Sequence, residues 1–348
     1  MSTSRVSVVV VTYGRQPLLV DCVNAIRQSV GVTAEVVIVD NGHDGDEVSV
    51  VEGYNEVTVI RPGANTGFAG GCNLGADRAT SEFVVFINPD AIVAPEAIAH
   101  LIQPLVNDEV QVTTAAVLLL REPHLINAVG NRIHPCGVSW CGEFRKNAAL
   151  LTKDIEPLLA SGAAMACKRE WWNLTGGFQE EFFAYYEDTE FSLRTIMAGG
   201  KIRLVHDAIV LHDYEFSKNP TKMFLVDRNR MMLVASLYRP RTLLVLSPLL
   251  LVHEIALCVF AIAGGWAPQR LRAIKWMVSN GETIRRVRSR LQASRRIGDG
   301  AILRRMEVRL LPENLQFSRG AVVLQSPLEW LTRALRRVIL VLEPDPVG

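Results

Sequence analysis

Residues 6–11 read VSVVVV, and a run so dense in β-branched apolar residues fits best as a central strand of a parallel sheet covered on both faces. The run is not isolated. EVVIVD (35–40), VTVI (57–60), EFVVFI (82–87) and VQVTTAAVLLL (110–120) repeat the pattern, with helix-like stretches near 17–29, 68–79 and 95–106 between them. Strands alternating with helices in this way predict an open α/β sheet whose ligands gather at the C-terminal ends of the strands. Thr12 and Tyr13, Asp40 and Asn41, Asn65, and Asn88-Pro89-Asp90 occupy those ends, so they are expected along one rim.

A second region spans about 121–235. In it SGAAMACKREWWNLTGGF reads as strand, helix and a glycine C-cap at Gly176-Gly177. FFAYYEDTEFSLRTIMAGG then predicts a helix with Asp188 as N-cap, ending at Gly199-Gly200, followed by a strand through IRLVHDAIVLH.

The last region, 236–348, contains TLLVLSPLLLVHEIALCVFAIAGGW (242–266), with Glu254 its single formal charge. That length can cross a hydrocarbon core of ~30 Å, yet Pro248, His253 and Glu254 in its middle would be costly there, so it reads as an interfacial or re-entrant helix. Residues 270–309 hold 12 Lys or Arg against 3 Asp or Glu. With the amphipathic LEWLTRALRRVILVL (328–342), this run suggests anchors on an anionic membrane surface. The competing reading is a packed helical subdomain or an oligomer interface.

The chain as a whole carries a net charge of only +1, which advertises no nucleic-acid partner, and its 49% apolar content excludes disorder. Six cysteines without a repeated C-x-x-C spacing, and an N-terminus without a signal-peptide pattern, suggest a reducing cytosol. Cys136, Cys141 and His134 fall short of the four ligands of a structural zinc site and read as ordinary loop residues.

The chemistry concentrates in three motifs. Proline has no N–H for a sheet and disfavours helical geometry before it, so Asn88-Pro89-Asp90 ends a strand in a rigid turn that holds Asp90 at the rim. A carboxylate so placed suits Mg²⁺ or Mn²⁺. Taken alone, the tripeptide is equally a turn leading to Pro95 at the start of the next helix. NTGFAGGCNLGA (65–76), with Gly67, Gly70, Gly71 and Gly75, lets a helix start approach a ligand or a strand, but it lacks G-x-G-x-x-G and G-K-[ST]. AYYEDTEFSLR (184–194) sets Glu187, Asp188 and Glu190 beside Phe182, Phe183, Tyr185 and Tyr186. Acids at a helix N-terminus are most commonly capping groups, but next to an aromatic wall a carboxylate can also serve as a base toward a sugar hydroxyl. His206 and His212 lie six apart on the following strand and would share a face, with only His212 at its end.

In this order, VVVVTYGR, VVIVDNGHDGD, NTGFAGGCNLGA, FINPDA, GGFQEEFFAYYEDTEFSLR and VLHDYEFS resemble the inverting glycosyltransferases of family 2, most closely bacterial rhamnosyltransferases. The resemblance covers about residues 5–235. It implies a GT-A fold, an α/β Rossmann-like open sheet, followed by a C-terminal helical, membrane-associating region. By the same resemblance, residues 1–120 would bind a nucleotide-diphospho-sugar donor and 121–235 a glycan or polyprenyl-linked acceptor, at the cytoplasmic face of the cell membrane.

Carried over by position, the resemblance gives Thr12, Tyr13 and Asp40 to the base and ribose, and Asn65 and Gly67 to the nucleotide diphosphate. It also gives Asn88 to the donor site, Asp90 and His212 to the metal, and Asp188, with Glu187 beside it, to base catalysis. Asn88 departs from the family's D-x-D, where an acid usually stands. A sugar nucleotidyltransferase would share sheet and metal, but it needs a Gly-rich Arg/Lys loop where TYGRQPLL stands. A non-catalytic nucleotide-sugar binder or membrane scaffold would have no use for both Asp90 and Asp188.

Overall fold

The computed structural model describes residues 4–214, 219–310 and 319–343. Residues 215–217, the end of VLHDYEFS, lie outside them. The chain divides into two compact units, the first made of Met1–Asn131, Cys141–Thr195 and Gly200–Glu215, the second of Arg132–Trp140, Ile196–Gly199 and Phe216–Gly348.

The first unit is built on strands β1 (Ser4–Gly14), β2 (Val32–His43), β3 (Val57–Ile60), β4 (Phe83–Ile87), β5 (Ala91–Val93), β6 (Val112–Leu119) and β7 (Glu122–Ala128). β8 (Asn131–Ile133) and β9 (Ser139–Cys141) pair with each other in a separate sheet that falls mostly in the second unit, whereas β10 (Ala164–Lys168) and β11 (Ile202–His212) complete the set of the first unit. Its helices are α1 (Leu19–Arg27), α2 (Glu47–Glu52), α3 (Gly67–Arg78), α4 (Ala97–Val106), α5 (Arg169–Thr175) and α6 (Glu187–Met197). The main sheet runs β3-β2-β1-β4-β10-β6-β11-β5, with β7 on β6.

β1, β2, β3 and β4 are parallel, and Val6, Val8, Val9 and Val10 are buried between helices, as their side chains require. The sheet is mixed, however. β10 enters antiparallel between β4 and β6, and the three-residue β5, too short to read from the sequence, pairs antiparallel with β11. Gly176 (φ +77°) ends α5 in the left-handed C-cap that Gly176-Gly177 suggests.

The second unit holds α7 (Pro220–Leu237), α8 (Pro240–Ala263), α9 (Ala267–Ser279), α10 (Gly281–Ala293), α11 (Asp299–Arg305) and α12 (Arg319–Leu342). Asn219 caps α7 by accepting from Lys222 N at 2.9 Å, with Pro220 opening the helix. The far end of α7 is capped from α10 and the segment after it: Arg288 donates to the carbonyls of Ala235 and Tyr238, Gln292 to Ser236 and Leu237, and Arg295, just past α10, to Leu237. Arg288 and Arg295 are therefore structural donors to orphan helix carbonyls, which narrows the basic run that the sequence presents as one surface.

α8 passes through Pro248 without a break. Proline at this position leaves the carbonyl of Leu244 without its helical N–H, and Ser247 Oγ donates to that oxygen at 2.8 Å instead. Glu254 forms ion pairs with Arg230 of α7 and Arg270 of α9, both of which also bind Asp227. The costly charge in the apolar segment thus faces a buried network. His134 is buried as well, with Nε2 3.2 Å from Thr332 Oγ1 and Nδ1 accepting from Cys136 N.

Candidate active site

The Asn88-Pro89-Asp90 turn closes with Ala91 N donating to Asn88 O, and β5 begins at once. The β5–β11 register pairs Ala91 with His212, so Asp90 and His212 become neighbours although 122 residues apart in the chain. His212 Nε2 lies 3.1 Å from Asp90 Oδ1 and 3.4 Å from Asn88 Nδ2. Its other nitrogen, Nδ1, lies 2.9 Å from the buried carboxamide oxygen of Asn127.

An amide oxygen only accepts, so Nδ1 is the donor to Asn127 and Nε2 is the nitrogen turned toward the Asp90 carboxylate. A nitrogen lone pair and a carboxylate oxygen so placed are a donor set for a cation. Their separation also matches two adjacent ligands of an octahedral Mg²⁺ or Mn²⁺, about 3 Å apart for bonds of about 2.1 Å. The Asn127 contact is the outer support that metal-bound imidazoles characteristically have. Among the described residues, no further His, Cys, Asp or Glu completes a group of three. His206 does not share this surroundings. The β6–β11 register slips between Val205 and Ile209, and the bulge turns His206 onto Asp154 at 2.7 Å.

The acidic helix starts differently from its sequence reading. Asp188 is not the N-cap but the second residue of α6. Its Oδ1 accepts from Thr189 N at 2.6 Å, and its Oδ2 accepts from Gly162 N at 2.9 Å. The next residue, Ala163, accepts from Asn88 N at 3.0 Å. The loop entering β10 therefore ties the Asp90 turn to the start of α6. This bridge was missed in the sequence, where only the small residues of Ser161-Gly162-Ala163 hinted at a close approach.

Three acids within four residues have three environments. Glu187 is 6% exposed, with Oε2 buried and unpartnered. Burial, and then the charge of Asp188, push its carboxyl well above the usual range. Burial also raises Asp188, but the N–H donors of Gly162 and Thr189 oppose it, so Asp188 ionises first. Glu190 is fully buried against Arg194 at 2.8 Å and Gln179 at 2.6 Å, and Arg194 reaches on to the carbonyl of Gly177. Glu190 is thus a structural group.

The aromatic wall is likewise mostly interior. Phe182 and Tyr186 are buried, and Tyr185 is the more open ring. Phe183, Tyr185 and Tyr186 all have positive φ (65°, 67° and 73°), a strained run for non-glycine residues immediately before the acids. Phe183 O accepts from Ala69 N at 3.0 Å, and a Cβ on Gly67 (φ +74°) would fall 2.3 Å from that oxygen. Glycine at 67 is thus required for docking this loop onto α3.

At the other end of the rim, Asn65 Oδ1 accepts from Gly67 N, and buried Asn41 joins Thr66 to the carbonyl of Gly67. Asp40 Oδ1 accepts from Gly42 N and His43 N, leaving Oδ2 3.6 Å from Arg61 Nε. Buried Thr12 Oγ1 is 2.9 Å from His43 Nδ1, whereas Tyr13 is 60% exposed. His43 and Asn127 have structural roles here that their positions in the sequence did not single out, and Asn41, expected on the rim, is a buried tie between Thr66 and Gly67.

The profile of Glycosyl transferase family 2 matches residues 7–129. This stretch is a glycosyl transferase family 2 domain. It contains Thr12, Tyr13, Asp40, Asn65, Gly67, Asn88 and Asp90; Glu187, Asp188 and His212 lie beyond the matched stretch. The low-salt glycan biosynthesis hexosyltransferase Agl10 of Haloferax volcanii is 27% identical over 198 residues, 54% of this chain and 60% of that protein. The N-acetylglucosaminyl-diphospho-decaprenol L-rhamnosyltransferase of Mycobacterium tuberculosis is 26% identical over 269 residues, 65% of this chain and 86% of its own.

Solved structures share the GT-A fold of the family 2 domain. The mannosyltransferase PcManGT from Pyrobaculum calidifontis, in complex with GDP-Man and Mn²⁺, superposes with a TM-score of 0.50 at 17% identity, over 97% of this chain and 86% of that one. GalNAc-T7 with UDP, GalNAc and Mn²⁺ gives 0.51 at 16% identity, over 67% of this chain and 48% of its own.

Proposed function

We propose that this chain transfers a sugar, rhamnose or a similar hexose, from a nucleotide-diphospho-sugar to a hydroxyl of a glycan or polyprenyl-linked glycan, inverting the anomeric centre. The strongest support is the pair of hydrogen bonds at adjacent loop residues, Gly162 N donating to Asp188 and Ala163 O accepting from Asn88 N, that tie a base candidate to the Asp90 turn. The rhamnosyl and hexosyl activities in the relatives' names, and the nucleotides and Mn²⁺ of the solved structures, support the substrate class.

In this reading Asp188, the more readily ionised of the two acids, accepts the proton of the acceptor hydroxyl as its oxygen attacks the anomeric carbon from the face opposite the diphosphate. Glu187 stays protonated and keeps a second negative charge away from the attacking oxygen. Asp90 and His212 would hold Mg²⁺ or Mn²⁺, which when bound neutralises charge on the departing diphosphate. Thr12, Tyr13, Asp40, Asn65, Gly67 and Asn88 border the donor. Residues 1–120 then serve the donor, 121–235 the acceptor, and 236–348 the cytoplasmic face of the cell membrane, where cell-envelope polysaccharide is assembled on lipid carriers.

The deciding experiment incubates the protein with a panel of nucleotide sugars and Mn²⁺, follows thermal stabilisation, and then assays transfer to polyprenyl-diphospho-glycans with the donors that bind. Absence of stabilisation and turnover across the panel would refute the reading.

A further inference from the structure

Unit two exposes a series of large apolar side chains on α8, the kind of feature that marks interaction surfaces. α8 is, among the described residues, the one helix long and apolar enough to cross a membrane, and only 17% of its most apolar stretch is buried. Leu244, Leu251, Ile255, Val259 and Ile262 follow one another at helical spacing and are each 58–75% exposed. They form a stripe about 27 Å long at 1.5 Å per residue. α12 packs on α8 and adds Trp330, Val338, Val341 and Leu342, all outward.

The opposite side of α8 is occupied by protein. Thr242, Leu246, Leu249 and His253 are buried, and Glu254 is locked to Arg230 and Arg270. A spanning helix would carry this ionic network into hydrocarbon, whereas a helix lying on its side leaves it on the aqueous side. Arg272 and Lys275 on α9 and Arg285 on α10 are exposed cations on the next two helices. Two copies of this surface face to face would oppose like charges, but anionic headgroups complement them.

We propose that α8 lies in the plane of an anionic bilayer, with Leu244, Leu251, Ile255, Val259 and Ile262 in the acyl region and Trp330 of α12 at the headgroup boundary. The inference rests on the transfer reading above only for the presence of a membrane. Its test needs neither donor nor turnover, so its failure leaves the chemistry of Asp188 standing.

The full chain is mixed with preformed vesicles of phosphatidylcholine, with or without phosphatidylglycerol, and floated. Wild type should float with the anionic vesicles and less with the neutral ones. The triple variant Leu251→Glu/Ile255→Glu/Val259→Glu should lose at least about tenfold in binding with an unchanged melting temperature. Lys275→Glu/Arg285→Glu gives a second arm if the triple variant melts early, and should weaken flotation on anionic vesicles alone. Wild type that floats with neither vesicle, or a well-folded triple variant that floats as well as wild type, overturns the proposal. So does light scattering that shows a dimer made monomeric by the triple variant without flotation of either, which assigns the face to a second copy.

Discussion

The N–H of Gly162 donates to Asp188 Oδ2 at 2.9 Å, and a Cβ on Gly162 would stand 3.3 Å from both the Cβ and the Oδ2 of Asp188. The backbone reaches the carboxylate because this loop residue has no side chain. Gly162→Ala should push Asp188 by a few tenths of an ångström, and Gly162→Val further. In the transfer assay kcat should fall in the order glycine, alanine, valine, by roughly 10- to 100-fold overall, with donor affinity held. Equal rates for all three would dissociate the loop from the base.

Asp188→Asn separates acid–base chemistry from fold, though at more structural cost than a cap replacement. Both carboxylate oxygens accept from backbone N–H groups, and an amide offers one oxygen and one NH₂, so one N–H loses its acceptor. A loss of about 1–3 kcal/mol is expected in chemical denaturation. Transfer should drop by ~10²- to 10⁴-fold with donor affinity near wild type. Glu187→Gln should be the milder change in rate; the reverse ranking would move the base to Glu187.

The pH dependence follows from the same pair. Asp188 must be ionised to accept a proton and its carboxyl is raised, so the transfer rate should fall with decreasing pH on a limb above the ordinary aspartate range. Glu187 is raised further, so its folded state favours the protonated form. The stability this gives is complete below its unfolded value and is lost as pH rises through its folded value. Glu187→Gln removes that loss, and melting curves across pH should show the variant overtaking wild type toward alkaline pH.

Asp90→Asn and His212→Ala should each weaken Mn²⁺-dependent stabilisation by donor while leaving the melting temperature without donor close to wild type. Asn127→Ala touches no substrate in this reading but releases His212 Nδ1. A 10- to 100-fold loss of apparent Mn²⁺ affinity is the typical effect of losing such a support. An Mn²⁺ titration identical to wild type for all three would return His212 to a structural role.

Glu190 belongs to the fold. Its pairing with Arg194 is almost free of solvent, so Arg194→Ala leaves a buried charge and should cost about 3–5 kcal/mol. Urea titration checks it.

The sequence by itself determined the parallel strands, the glycine stops and the positions of the rim acids, because those depend on local properties: β-branched runs, proline's missing N–H, glycine's freedom at positive φ. It could not reveal that β10 runs antiparallel between β4 and β6, or that a three-residue β5 pairs with β11, since pairing partners are chosen by distant segments. The role of each acid in Glu187-Asp188-x-Glu190 was equally out of reach. Three carboxylates within four residues look alike in the chain, and only their tertiary neighbours separate them: an unpartnered pocket for Glu187, two backbone N–H groups for Asp188, and the Arg194 guanidinium for Glu190. The basic run divides for the same reason, because Arg270, Arg288 and Arg295 find acceptors on other helices that no spacing within 270–309 encodes.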